Sequence, residues 1–299
     1  MEMLRIENLH KRFGDKEVLR GLNLSVPEHS IFGFVGKNGA GKTTTMKTVL
    51  GLLRADEGEI FINKTPVNYG QTETNRVVGY LPDVPEFYPF MTAPEYLAFC
   101  GEITGMKKAE IKSRAAELLA LVGLEGENHR IKGFSRGMKQ RLGIAQALFN
   151  RPKLLICDEP TSALDPVGRK EILDVLLAAK AETTILFSTH ILSDVERICT
   201  DVAFLDQGIV RVQGTLSEVK SVYQRESYVL EIECPEDARV LCDAFPEMQY
   251  DGGCRLQFDE NVCNMSAVLH VLADRKISVI KLERQEPTLE SLFMEVVEK

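Results

Sequence analysis

Residues 31–54 read Ile31-Phe32-Gly33-Phe34-Val35-Gly36-Lys37-Asn38-Gly39-Ala40-Gly41-Lys42-Thr43-Thr44-Thr45-Met46-Lys47-Thr48-Val49-Leu50-Gly51-Leu52-Leu53-Arg54, and the rest of the chain is organised around them. Ile31 to Val35 is a short apolar run of the kind that becomes a buried strand. Gly36 to Thr43 fits G-x-x-x-x-G-K-[ST] residue for residue. Glycines there let the backbone turn tightly and aim successive N–H groups at one anion. From Lys42 onward, Met46, Val49, Leu50 and Leu53 recur at helical spacing, so the loop opens a helix whose positive end adds to the site. Gly36, Lys37, Asn38, Gly39, Ala40, Gly41, Lys42, Thr43 and Thr44 are therefore expected to wrap phosphates. Lys42 would reach the terminal ones and the Thr43 hydroxyl would hold Mg2+. Strand, loop and helix together distinguish a nucleotide phosphate site from a glycine-rich turn that binds nothing.

The chain has 299 residues, longer than one average domain, and two domains are expected. A hydrophobic fraction of 44% with 27% charged residues suits a soluble globular protein. The net charge of −8 is unevenly placed: residues 221–299 hold 16 of the 44 acidic and 8 of the 36 basic side chains, leaving 28 of each in residues 1–220. A neutral first part and an acidic second part speak against a nucleic-acid partner, which needs a basic face. No run approaches the roughly 18 apolar residues of a membrane span, and the first residues lack a signal peptide's apolar core. The seven cysteines form no C-x-x-C pair, and the four between 234 and 263 match no zinc spacing. Cys157, inside an apolar run, reads as a buried reduced thiol, and the expected compartment is the cytosol.

Along the chain, residues 3–9 and 20–26 alternate as two strands of an antiparallel sheet, with Lys11-Arg12-Phe13-Gly14-Asp15 as the turn between them. An aromatic such as Phe13 can stack on a base. Strands follow at 58–62 and 77–81. A proline-rich connector runs from Asp83 to Pro89, and helical patterns cover 93–103, 108–122 and 137–149. The apolar run Leu154-Leu155-Ile156-Cys157 ends in Asp158-Glu159, placing two carboxylates at the C-terminal edge of a sheet, where α/β proteins bind ligands. Asp158 would help position Mg2+, and Glu159 would orient or deprotonate an attacking water. Thr184 to Ser188 is a further buried strand, followed by His190, a γ-phosphate contact in the same frame. A hairpin spans 201–212 and a short helix Thr215 to Tyr223. Beyond about residue 225 strands and helices alternate: strands at 228–233, 255–258 and 278–282, helices at 236–245, 264–274 and 287–297. This second unit carries no catalytic constellation.

One further stretch decides the family. Phe134-Ser135-Arg136-Gly137-Met138-Lys139-Gln140-Arg141 resembles the signature of ATP-binding cassette (ABC) ATPases, usually Leu-Ser-Gly-Gly-Gln. Phe13, the phosphate loop, the Asp83 connector, the signature, Asp158-Glu159, Ser162-Ala163-Leu164-Asp165 and His190 follow the family order over residues 1 to about 220. The resemblance implies an α/β fold: a P-loop ATPase domain (1–220) with a parallel core sheet, an N-terminal antiparallel subdomain and a helical insert, then a small C-terminal α/β domain (221–299). It implies ATP as substrate, Phe13 on the adenine, and Ser135 and Gly137 facing the γ-phosphate held by a second copy. Two copies would then close on two ATP molecules, with Asp165 coupling the sites. Asp83 stands where the family usually has Gln; its carboxylate would reach metal or water. Arg136 and Met138 replace Gly and Gln, and Lys37 stands where Pro is frequent. The pattern Ser-x-Gly-Met-Lys-Gln-Arg and the ending Pro287-Thr288-Leu289-Glu290-Ser291-Leu292-Phe293 are similar to export-type cassettes for drugs, antimicrobial peptides and ions.

The implied function is ATP hydrolysis by a homodimer or pseudo-dimer that drives separate transmembrane permease subunits. The chain would be peripheral at the cytoplasmic face of the plasma membrane. Phe87, Tyr88 and Phe90 would meet the membrane partner. An importer ATPase and a soluble, non-transport ABC ATPase are the alternatives.

Overall fold

In the computed structural model, which describes residues 1–71, 73–222, 227–260, 262–285 and 288–298, Ile31–Val35 (β3) lies inside a mixed sheet and every residue of it is buried. Its strand neighbours are β8 (Thr184–Thr189) and β9 (Asp201–Asp206), both parallel to it; β7 (Leu154–Asp158) and β6 (Val78–Leu81) continue the parallel set, and β10 (Ile209–Thr215) closes it antiparallel. β7 and β8 are buried throughout, like β3. Continuous apolar runs suit a parallel sheet covered on both faces.

The first two strands, β1 (Glu2–Phe13) and β2 (Lys16–Pro27), form an antiparallel ribbon that β4 (Glu57–Ile62) and β5 (Thr65–Pro66) extend. Both ribbon strands outrun the alternation at 3–9 and 20–26. Lys11, Arg12 and Phe13 pair across to Leu19, Glu17 and Lys16, so only Gly14 and Asp15 turn. Register shifts at Leu9 and Arg12 break the apolar period, which is why the sequence pattern ends early. Leu4, Leu22 and Ile60 of this sheet share one core with Phe34, Ile156 and the helix α1 (Lys42–Val49), through Met46 and Val49.

Between β6 and β7 come three helices: α2 (Ala93–Ile103), α3 (Lys108–Leu121) and α4 (Arg136–Leu148). α2 starts on a capping box, in which Thr92 Oγ1 accepts from the Glu95 N–H and Glu95 accepts from the Thr92 N–H. The Ser135 hydroxyl caps α4 by accepting from the Met138 N–H at 3.2 Å. Two helices lie outside those expected: α5 (Pro166–Ala179), capped by Asp165 on the Gly168 N–H and burying Ile172, Leu173, Val175, Leu176 and Ala179, and α6 (Leu192–Ile198).

The chain divides into two units, Met1–Val219 and Lys220–Glu298. α7 (Leu216–Val222) lies at the division; Tyr223, the expected end of this helix, falls outside the described residues. In the second unit, β11 (Ser227–Ile232) pairs with β13 (Arg255–Asp259) and β14 (Val279–Gln285), and β12 (Gln249–Tyr250) borders β13. The helices α8 (Pro235–Ala244) and α9 (Met265–Asp274) bury Leu241, Val268 and Leu272 with Leu230, Ile232 and Phe258 of this sheet. The final helix, α10 (Leu289–Glu298), buries Leu289, Leu292 and Phe293; Pro287, its expected start, lies outside the described residues.

Candidate functional site

The parallel sheet brings together what the sequence separates. β3, β7 and β8 are adjacent, so their C-terminal ends deliver the phosphate loop, Asp158-Glu159 and Thr189-His190 to one edge. β7 and β8 pair with Asp158 opposite Ser188, and there the side chains interlock. The Thr43 hydroxyl donates to Asp158 Oδ2 at 2.8 Å, and the Ser188 hydroxyl donates to Asp158 Oδ1 at 2.7 Å. The Glu159 N–H points back to Ser188 Oγ at 3.1 Å.

Glu159 adopts a left-handed backbone conformation, φ +49°. A non-glycine residue there stores strain that the surrounding structure must hold. The bend turns its side chain onto the loop. Glu159 Oε1 makes no regular hydrogen bond but stands 3.1 Å from the Lys42 ammonium, and His190 Nδ1 lies 2.8 Å from Oε2. Lys42 is buried; its ammonium also donates to the Gly36 carbonyl at 2.6 Å and to the Lys37 carbonyl at 3.4 Å. Gly41, the residue before α1, takes φ +115°, and a Cβ there would stand 2.8 Å from Leu19 Cδ2, so glycine is required at this bend.

Asn38, Gly39, Gly41, Lys42, Thr43, Thr44, Asp83 and Glu159 line one cavity of about 500 Å³ together with Lys16 and Val18, within the ordinary size of a small-molecule site. Lys16 and Val18 come from the ribbon and have no motif to announce them. Phe13 is not a lining residue: it is half exposed, directly across the ribbon from Lys16, with the Lys11 ammonium 5.5 Å from its ring centre. Ser135 and Gly137 do not line the cavity either; Ser135 is exposed at the start of α4. Of the remaining loop positions, Gly36 and Ala40 are buried and support the loop, and Lys37 is exposed.

Asp83 is held three ways. Its carboxylate accepts from the Ser162 hydroxyl at 2.5 Å and faces Arg136 Nη2 at 3.6 Å, while its carbonyl accepts from Gln140. Motif reading covers Ser162 and Gln140 without giving either this contact, and it gives Ser188 only a place in a strand. Each acts through strand register or helix packing, which no local spacing displays. Behind the edge, burial and the Asp158 charge push the Tyr80 hydroxyl up to about 12, and burial raises the Cys157 thiol well above its ordinary range; both stay neutral.

Mg2+ calls for hard oxygen donors. The Thr43 hydroxyl and the Asp158 carboxylate supply two at the phosphate loop, and the donor set fits.

The comparisons agree with this architecture. The ABC transporter family model matches residues 19–162, and the C-terminal domain model of DrrA1-3-like ATP-binding proteins matches 214–297. The ABC transporter ATP-binding protein YxlF of Bacillus subtilis is 36% identical over 303 residues, covering 99% of both chains. The bacitracin transport ATP-binding protein BcrA of Bacillus licheniformis is 34% identical over 305 residues, covering 99% of this chain and 97% of its own. A solved dimeric ATP-binding cassette, in a post-hydrolysis state bound to ADP and Pi, superposes with a TM-score of 0.65 at 27% identity; 72% of this chain and 99% of that one are covered. By fold, motif order and full-length similarity, this chain belongs to the ATP-hydrolysing, ATP-binding subunits of ABC transporters.

Proposed function

We propose that the chain is the motor of an ABC exporter. Two copies close on two ATP molecules, and hydrolysis reopens them, moving separate transmembrane subunits from the cytoplasmic face of the membrane. The observation that carries the reading is the meeting of Lys42, Thr43, Asp158, Glu159 and His190 at the shared ends of three adjacent strands.

In this reading the loop N–H groups and Lys42 bind the phosphates. A polyphosphate competes with Glu159 for the Lys42 ammonium, so nucleotide binding releases the Glu159 carboxylate to accept a hydrogen bond from water. His190, 2.8 Å from the other Glu159 oxygen, fixes the orientation of that carboxylate and reaches toward the γ-phosphate. Thr43 and Asp158 would hold Mg2+, which when bound neutralises phosphate charge; Asp83 lines the same cavity as a third oxygen donor. Phe13 offers an exposed ring to the base, and Ser135 and Gly137 offer the start of α4 to the nucleotide of the other copy.

Export is supported by the DrrA1-3-like C-terminal match and by the bacitracin transport relative. None of the described helices is long and apolar enough to cross a membrane, in keeping with a translocation path built by partner chains. A docking contact is supported by Tyr88 and Phe90, which stay exposed beside α2, whereas Phe87 packs edge-on against Tyr96 with ring centres 5.1 Å apart.

The test is size-exclusion chromatography with light scattering on Glu159→Gln, with and without ATP and Mg2+, alongside phosphate release. We expect turnover to fall about 100-fold or more and the monomer to become a dimer only with nucleotide. Turnover at the wild-type rate would remove Glu159 from the reaction, and a monomer in both conditions would remove nucleotide-driven closure of the isolated chain.

A further inference from the structure

Gln140, within the signature stretch Phe134–Arg141, sits in the second turn of α4 and is 1% exposed. Its amide nitrogen donates both hydrogens: one to the carbonyl of Asp83 at 3.1 Å, the other to the carbonyl of Pro160 at 3.2 Å. Asp83 lines the nucleotide cavity, and Pro160 directly follows Glu159, which lines it too. A primary amide is the one neutral side-chain group able to give two N–H donors to two different carbonyls. Its oxygen, Oε1, is buried without a hydrogen-bond partner. The side chain thus spends both donors on two loops and leaves its own acceptor unpaired. The two carbonyls it holds belong to the two loops that carry Asp83 and Glu159.

Arg136 lies four residues earlier, on the same face of α4, and its guanidinium stands 3.6 Å from the Asp83 carboxylate. One helix face thus touches both the backbone and the side chain of Asp83. That same helix begins at Ser135, the residue proposed to meet the nucleotide of the other copy.

We propose that Gln140 is a positioning residue for hydrolysis. It ties the Asp83 loop and the Glu159-Pro160 turn to α4 as one body, so that both carboxylates address the same phosphate and move with the start of α4. The inference rests on the reading of Glu159 and Asp83 given above. Gln140 touches no substrate, and its effect belongs to turnover rather than to affinity.

The test compares wild type, Gln140→Met and Gln140→Asn in the full chain. Met keeps the volume, loses both donors and leaves the Asp83 and Pro160 carbonyls without them. Asn keeps the amide one methylene short of its two carbonyls. The readouts are kcat and KM for ATP with Mg2+, the Kd of a trinitrophenyl-ATP probe, and Tm. We expect kcat to fall about tenfold or more, as small misplacements near reacting groups do, with probe Kd within about threefold and Tm for the Met variant lowered by the two carbonyls that lose their donor. A kcat within about twofold of wild type overturns the proposal, and so does a parallel loss of kcat and probe affinity in whichever variants fold, which marks a merely structural residue. If Met does not fold, Asn decides on the same criteria. An active Glu159→Gln would instead sink the underlying site reading, whereas an inactive Glu159→Gln beside a fully active Gln140→Met sinks this proposal alone.

Discussion

Lys42 is the side chain on which the proposed phosphate site turns. Its ammonium is buried and shared between Glu159 and the Gly36 carbonyl. Charge-assisted hydrogen bonds contribute about 1.5–3 kcal/mol each. Lys42→Ala should therefore weaken ATP binding roughly 10- to 100-fold, as read by titration of a fluorescent ATP analogue; an unchanged Kd would exclude Lys42 from the phosphates. At this scale the sequence is highly legible where the chemistry is local. Gly36 to Thr43 is one unbroken motif, and Asp158 and Glu159 are neighbours. It is silent about Ser188, whose hydroxyl reaches Asp158 only because β7 and β8 pair in one register. It is silent about Lys16 for the same reason: the ribbon folds over the loop.

Among the elements, α4 packs against β6 with almost no clearance. A Cβ at Gly79 would stand 2.2 Å from the Ala147 carbonyl oxygen. Backbone cannot yield as a side-chain tip does, so Gly79→Ala should cost about 1–3 kcal/mol, seen as a Tm lowered by roughly 2–4 °C per kcal/mol. A Tm equal to wild type would mean that α4 can slide on the sheet. α3 is fastened by Arg114, 3% exposed, which donates to Glu117, to the Leu148 carbonyl and to Glu182 at 2.6, 2.9 and 3.1 Å. Both carboxylates are half exposed and can return to water, but the buried carbonyl cannot. Arg114→Met should then destabilise by about 1–3 kcal/mol in urea unfolding, and a neutral result would show the carbonyl finding another donor. Helices 93–103 and 108–122 were readable because caps and apolar period agree, as in the Thr92-Glu95 box. β1 and β2 were only partly readable, because register shifts interrupt their alternation.

For the whole molecule, dimer closure and metal dependence are the properties to test. With Thr43 and Asp158 as the proposed Mg2+ oxygens, chelation by EDTA should abolish phosphate release, and added Mg2+ should restore it. Release that persists in EDTA would remove the metal from the mechanism. The second unit, Lys220–Glu298, has its own sheet and its own buried cluster around Leu230 and Leu241. Residues 221–299 also carry the chain's whole acidic excess.

The sequence by itself determined the chemistry and the family. A phosphate loop and an acidic strand end are short, contiguous devices whose function depends on local backbone and on residue type, and their order along the chain needs no coordinates. Tertiary structure alone decided which residues share the site. Lys42 meets Glu159 and Glu159 meets His190 because β3, β8 and β7 lie side by side, and Gln140 reaches Asp83 and Pro160 because α4 packs beneath both loops. Such contacts join residues tens of positions apart through sheet order and helix packing, and these arise from burial of the whole core, not from any one stretch of chain.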